Sequence, residues 1–421
     1  MKKRILYVVL LVALAALCLG VFGSCNRTAA VNVFEYSKDD LGVVEKLIYL
    51  MHNWIGNYGW TVVVFTVFLK ILVLPLDFWQ RYSSRKSSLK MQRIQPLVEA
   101  IDKRYGANTQ RANEEKQKLY KKQGYSMASM CLPLLITMAI FFTMFGGLRN
   151  YSTYSSIRSF QDLSGVYHDT FVEQIKNDAE GGTNVVYEKY ADELNKASGN
   201  LDKINVQTRI IGDAMKLNPT VCVKFEEKAI AEVQAWYVDH HESWLWIQNV
   251  WQPDTWATIM QPFSGGSFDG GSFKSVISTD GYRSDFEDIY TRIYNAVLET
   301  GGYGNNGSWN GLMILPLLSI GLSFLSTFIS QRMERKNRKG ETVQQNQQQA
   351  ATNKTMMIIM PLMMAWFGFI YTGAFAIYMV FNYAISIIST IALRAPIEKL
   401  VLKQLDKDDK KNNSSKASYM R

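Results

Sequence analysis

From Met356 to Leu393 the chain is apolar almost without a break. As one helix that run would reach roughly 60 Å, twice the ~30 Å hydrocarbon layer of a bilayer. A straight helix of that length has nowhere to lie, so the run must fold back. Tyr371-Thr372-Gly373 is the only plausible turn in it. Three further apolar runs, Trp60–Leu76, Cys131–Leu148 and Trp309–Ile329, are each long enough, or nearly so, to cross the same layer. The expected fold is therefore an all-α integral membrane protein with a five-span helical core. Mean hydropathy close to zero hides this, because polar stretches between the runs offset them.

The organisation follows from those runs. Residues 1–24 read as a signal peptide: Lys2-Lys3-Arg4 precedes the apolar stretch Ile5–Phe22, which ends in Gly23-Ser24 directly before Cys25. That ending resembles a lipoprotein processing site, with Phe22 where Leu is usual, and marks Cys25 for lipidation. Ordinary signal cleavage or an uncleaved anchor is the alternative. Residues 25–56 form an extracytoplasmic segment in which Val44, Leu47, Ile48, Met51, Trp54 and Ile55 recur at helical spacing. An amphipathic helix on the membrane surface fits this pattern, and so does an ordinary packed helix. The spans are placed at 57–77, 131–148, 309–331, 355–371 and 374–394. Residues 78–130 form a cytoplasmic helical hairpin that turns at Tyr105-Gly106-Ala107-Asn108, with Gly106 as C-cap and Asn108 or Thr109 as the next N-cap. Residues 149–308 are a large extracytoplasmic insertion. Tyr187–Ala197 and Phe225–Tyr237 are expected to be helical there, and its Gly- and Ser-rich second half irregular. Trp244, Trp246, Trp251, Trp256 and Trp309 cluster where the chain returns to the bilayer, a placement that suits the interfacial preference of indole. A cytoplasmic loop at 332–354 and a basic tail at 395–421 complete the chain. Gln344–Gln349 and Asp406–Arg421 read as disordered.

Charge sets the orientation. Arg81 to Lys122 holds about a dozen Lys and Arg against about four acids, and the 332–339 and 394–416 segments are also basic. The insertion is acid-rich instead. The positive-inside rule then puts the mature N-terminus outside and the C-terminus in the cytoplasm. The net charge of +9 belongs to these membrane-flanking segments and does not indicate sequence-specific nucleic-acid binding. Four cysteines give no disulfide framework, and Cys222 reads as a small apolar residue.

One cation interrupts a span: Lys70, about 15 Å along the helix from Trp60. A lysine at that depth costs about 2.5–3.5 kcal/mol on insertion scales. Snorkelling would relieve part of this cost. The sharper reading is that Lys70 faces a hydrated cavity between helices. None of the other spans contains an Asp or Glu to pair with it, so its negative partner is either absent or comes from elsewhere. The uncharged residues Thr66, Thr137, Ser319, Ser323, Asn382 and Ser386 are positioned to line such a cavity, although each also suits an ordinary helix contact.

The ordered series Thr66, Lys70 and Leu74-Pro75-Leu76; Met91 to Pro96; Leu119-Tyr120 and Gly124; Cys131 to Leu135; Leu245-Trp246-Ile247 with Pro253-Asp254; Leu315-Pro316; Met360-Pro361; and Gly373 to Tyr378 followed by Asn382 resembles the YidC family of membrane insertases. The resemblance covers Val44–Arg394 apart from the insertion. It departs in Lys70, where the family usually has arginine, so charge survives without bidentate geometry. Ser126-Met127 stand for an expected Asn-Pro, and Thr137 and Ala139 for Gln and Pro. The insertion is far longer than the family's usual loop. The resemblance implies a helical groove open to cytoplasm and lipid, with Lys70, Thr66, Thr137, Ser323, Tyr378 and Asn382 contacting the client. It also implies a bacterial plasma-membrane insertase and chaperone with nascent membrane proteins as clients. Membrane lipids, the secretion translocon and the ribosome are its expected partners, and no cofactor is expected. A transporter or channel for an anionic solute and a non-inserting assembly scaffold are the alternatives. The chain has no internal repeat to support the first. An intramembrane enzyme is not expected, because His52, His168, His240 and His241 all lie outside the spans.

Overall fold

The structure is a computed structural model, and it describes residues 33–105, 109–122, 128–251, 253–254, 282–300, 310–334 and 372–419. The described residues are helical, with no strand beyond one isolated antiparallel bridge between Trp244 and Ile247. The helices are α1 (Val43–Ile55), α2 (Tyr58–Tyr105), α3 (Thr109–Lys122), α4 (Ala128–Asn177), α5 (Asn184–Lys196), α6 (Asn200–Leu217), α7 (Pro219–His240), α8 (Arg283–Glu299), α9 (Ile314–Glu334) and α10 (Gly373–Tyr419).

The expected span boundaries are not helix boundaries among the described residues. The expected span at 57–77 and the first arm of the hairpin are one helix, α2, of 48 residues. The expected span at 131–148 lies within α4, a helix of 50 residues that runs on into the insertion. The span at 374–394 continues as α10 to Tyr419, so the segment read as a disordered tail is helical through that residue. Hydropathy changes at the membrane surface, but backbone hydrogen bonding does not, and a helix ends only where a cap or breaker ends it. The helix within the expected span at 309–331 begins at Ile314. Residues 355–371, Cys25, the 106–108 turn and the glutamine-rich linker lie outside the described residues.

The chain divides into two compact units. The first comprises residues 1–62, 143–316 and 367–377 and contains the insertion. Its core is built from Phe160, Tyr167 and Phe171 of α4, Ile210 and Ile211 of α6, Ala229 and Val233 of α7, and Phe286 and Ile293 of α8, all essentially inaccessible. Phe34, upstream of α1, packs edge-on against Phe286 at 5.8 Å. Helices α5 and α7 cover the two stretches expected to be helical. Helices α6 and α8 were not expected, and α8 lies in the half read as irregular. Its Phe286, Ile289, Tyr290, Ile293 and Val297 recur at helical spacing, a signal outweighed by the flanking glycines.

A polar staple ties this unit together. Asp213 of α6 accepts hydrogen bonds from Tyr190 of α5 at 2.7 Å, Tyr282 at 2.8 Å and Lys189 at 3.0 Å. Burial alone would raise this carboxyl, but those donors hold it at about 2. Cys222 is a buried free thiol that burial pushes up to about 11, which fits its reading as an inert apolar residue.

Helix α1 has two apolar faces rather than one. Ile48 is fully buried, whereas Val43, Leu50 and Trp54 form a stripe 85%, 65% and 84% exposed. Gly56, at φ 78°, ends the helix in the left-handed conformation that glycine adopts without strain. The tryptophan cluster is only partly interfacial in character. Trp244 and Trp251 are buried, Trp251 stacking on Tyr58 at 4.2 Å and Trp244 meeting Trp60 edge-on at 5.7 Å. Gly59 sits so close to the Trp244 indole that any Cβ there would collide with it. These rings are used to seat the start of α2. Trp256 and Trp309 lie outside the described residues.

The second unit comprises residues 63–142, 317–366 and 378–421. Leu89 of α2 packs there against Ile397, Val401 and Leu405 of α10. Helices α2 and α10 are long and apolar enough to cross a membrane, and α9 is a shorter apolar helix. Only 22% of the apolar window of α2 is buried, whereas the core helix of a soluble protein would be mostly buried. Phe68, Ile71 and Leu72 on α2, and Leu317, Leu325 and Phe328 on α9, are all exposed. Exposed apolar side chains in this number mark a surface that meets lipid or another protein.

Candidate functional site

The second unit contains a cavity of about 460 Å³ between α2 and α10, with Ile140 and Phe141 of α4 and Ser330 of α9 also at its wall. Lys70 lines it, half-buried, together with Tyr378 and Asn382 of α10. These three expected site residues are thus brought together. Thr66 and Ser323 do not join them. Thr66 is fully buried and Ser323 is 4% exposed, and neither lines the cavity. Ser323 is hydrogen-bonded to Tyr383, which makes it a helix-to-helix contact between α9 and α10. Thr137 lies on α4, and its side chain is outside the described residues, as is Cys25.

The lining is more charged than the sequence reading anticipated. Asp77, Arg81, Arg85, Arg394 and Glu398 all face the cavity. Arg81 donates to Asp77 at 3.0 Å through Nε, to Ser386 at 3.4 Å through Nη2, and to Thr390 through Nη1. Arg85 pairs with Glu398 at 3.0 Å, its side chain only 10% exposed. Positions 70, 77, 81 and 85 recur at steps of seven and four, which puts them on one face of a helix. That periodicity was available in the sequence. It was missed because the expected end of the span at residue 77 cut the face in two. Lys70 makes no ion pair among the described residues, although Asp77 lies two turns away on the same face.

Other features seat the helices that carry the site. Asn57 caps α2, its Oδ1 accepting the Trp60 N–H at 3.2 Å, and Glu242 accepts the Tyr58 N–H at 3.1 Å. Glu242 also pairs with His52 Nε2 at 2.9 Å, while His52 Nδ1 faces the Tyr151 hydroxyl at 3.0 Å. At the start of α9, Asp254 accepts the backbone N–H of Met313 at 3.1 Å and of Leu315 at 2.9 Å. Asn310 exchanges bonds with the Asn249 backbone at 2.8 and 2.9 Å. No group of three or more potential metal ligands occurs among the described residues.

Known proteins resemble this chain along the same segments. The family model for the 60Kd inner membrane protein matches residues 50–196 and 232–399, most of the chain. A membrane protein insertase YidC of Caldanaerobacter subterraneus is 40% identical over 111 residues, 26% of this chain and 52% of that protein. Insertases YidC of Campylobacter jejuni and Paracoccus denitrificans are each 37% identical, over 100 and 103 residues, 24% of this chain in both cases and 18% and 15% of theirs. The chain thus spans about half the length of the first relative and less than a fifth of the other two. With the family model matching on both sides of the insertion, this chain belongs to the 60Kd inner membrane protein family, that of the YidC-type insertases.

Proposed function

We propose that the protein is a membrane protein insertase and chaperone of the bacterial inner membrane. It works through a hydrophilic groove that contains Lys70. The observation that carries this reading is the cavity itself: a lysine without an ion-pair partner among the described residues, in a charged lining, on helices whose other faces expose apolar side chains.

A polar or acidic client segment leaving the cytoplasm loses hydration. Water in the groove and the Lys70 ammonium replace part of it, which lowers the barrier to crossing. The client's apolar segment meanwhile slides into lipid beside the exposed faces of α2 and α9. Its burial releases about 25 cal/mol per Å² of apolar surface, so no nucleotide is needed as energy source. Membrane potential adds about 2.3 kcal/mol per charge per 100 mV for an acidic segment moving outward.

In this reading five spans cross the membrane, with the mature N-terminus and the insertion outside and the C-terminus in the cytoplasm. Cys25 carries lipid, and the exposed stripe of Val43, Leu50 and Trp54 rests on the outer leaflet. Nascent membrane proteins are the clients. The translocon, the ribosome and membrane lipids are the surroundings in which it works, and it uses no cofactor.

The test is insertion of a single-span client with an acidic translocated tail into liposomes holding the purified full chain. Wild type and Lys70→Arg are expected to protect the tail from protease, and Lys70→Ala to lose at least about tenfold of that protection. Equal insertion by all three would remove Lys70 from the mechanism. No insertion above empty liposomes by a folded wild type would remove the insertase reading.

A further inference from the structure

Two arginines cross the cavity from α2 to α10. Arg85 reaches Glu398, and Arg81 reaches Ser386 and Thr390. They are not equivalent. Arg85 is bound by an acid on the opposite helix, an arrangement that fastens the two helices together. Among the described residues Arg81 takes neutral hydroxyls from α10, and its carboxylate partner, Asp77, sits four residues back on its own helix. Both members of that pair are partly open, at 21% and 27% exposure.

We infer that Arg81 is the entry site for acidic side chains of the client, and that Asp77 is the resident carboxylate they displace. This rests on the insertase reading and names the chemical class selected at the cavity. The Ser386 and Thr390 hydroxyls hold the guanidinium in place whichever carboxylate occupies it. Exchange of one carboxylate for another keeps the Arg81 guanidinium paired throughout, and the displaced Asp77, 27% exposed, is open to hydration rather than left as a fully buried charge. Asp77 also reduces the net positive charge of the idle cavity, whose lining holds Lys70, Arg81, Arg85 and Arg394 against Asp77 and Glu398. Once displaced, it lies between Arg81 and Lys70 on the same helix face. Its negative charge there opposes stalling at Arg81 and favours onward movement to Lys70, two turns further along. An arginine suits the entry position because its planar fork can hold two hydroxyls and a carboxylate together, whereas an ammonium offers a point charge.

The experiment uses the full chain in liposomes of neutral phospholipid, and again with a quarter of the lipid anionic. Two single-span clients differ only in having aspartates or asparagines in the translocated tail. Arg81→Gln is expected to lower insertion of the acidic tail about tenfold and of the neutral tail by less than about twofold, with Arg81→Lys in between. Asp77→Asn is expected to do the opposite, raising acidic-tail insertion roughly threefold at limiting client, because it removes the competitor. Melting temperature and helical circular dichroism of each variant report folding. If Arg81→Gln does not fold, the sign of the Asp77→Asn effect decides. Loss of both tails alike in Asp77→Asn would make the pair a structural strut and overturn the inference. An Arg81 effect that follows anionic lipid and ignores tail charge would assign the site to lipid phosphate and overturn it too. Wild-type insertion of both tails, with a ratio that neither variant changes, would overturn this inference alone. Failure of wild type with either tail would overturn the insertase reading as well.

Discussion

The carboxylate of Asp254 accepts the backbone N–H of Leu315 at 2.9 Å across 61 residues of sequence. Its other oxygen takes Met313 N–H at 3.1 Å, and Trp246 Nε1 donates to the first at 3.3 Å. A fully buried acid thus stands at the positive end of the helix dipole of α9 and satisfies amides that the helix itself leaves open. Asp254→Ala is expected to cost about 1–2 kcal/mol, concentrated at this end of α9. Hydrogen exchange at Met313 and Leu315 should speed up by about tenfold or more, with the core amides of α6 unchanged.

His168 makes the insertion sensitive to acid. It is fully buried in α4, with Nδ1 donating to the Ser164 carbonyl at 2.7 Å and Nε2 facing the Thr208 hydroxyl at 3.1 Å. Burial lowers it from 6.5 to about 4. Between those values the unfolded chain binds the proton and the folded one does not, so stability falls as pH falls through that window. The full loss is about 3 kcal/mol, complete below about pH 4. Thermal unfolding of the full chain in detergent, followed by tryptophan fluorescence from pH 7 to 4, should show the decline. His168→Gln should flatten it.

Arg85 and Glu398 should behave as a coupled pair. Their 3.0 Å contact is mostly shielded, at 10% and 28% exposure. A double-mutant cycle with Arg85→Ala and Glu398→Ala is expected to give a coupling of about 1 kcal/mol in unfolding free energy.

The all-helical class and the membrane-spanning character were legible in the sequence because both rest on composition over windows of about twenty residues. Lys70 was legible for a related reason: a lone charge in an apolar run stands out wherever it lies. The missed helices show the limit of that reading. The apolar residues of α8 are spaced correctly, but the glycine-rich sequence around them masked the signal. Helices α2, α4 and α10 run on past the expected span ends because nothing in them breaks the helix there. Pro75, Pro96 and Pro396 lie inside α2 and α10 without ending either one.

By itself, the sequence determined what solvent each segment requires, since hydropathy is a sum over residues and needs no partner. The tertiary structure alone decided which polar residues share a cavity. Ser323 and Ser386 are alike in sequence terms, yet one bonds across to Tyr383 and the other holds Arg81. Asp77, Arg81, Arg85 and Glu398 form one lining only because α10 passes beside α2, some 310 residues later in the chain. A pairing at that separation depends on how helices pack, and packing is set by surfaces that no local window of sequence contains.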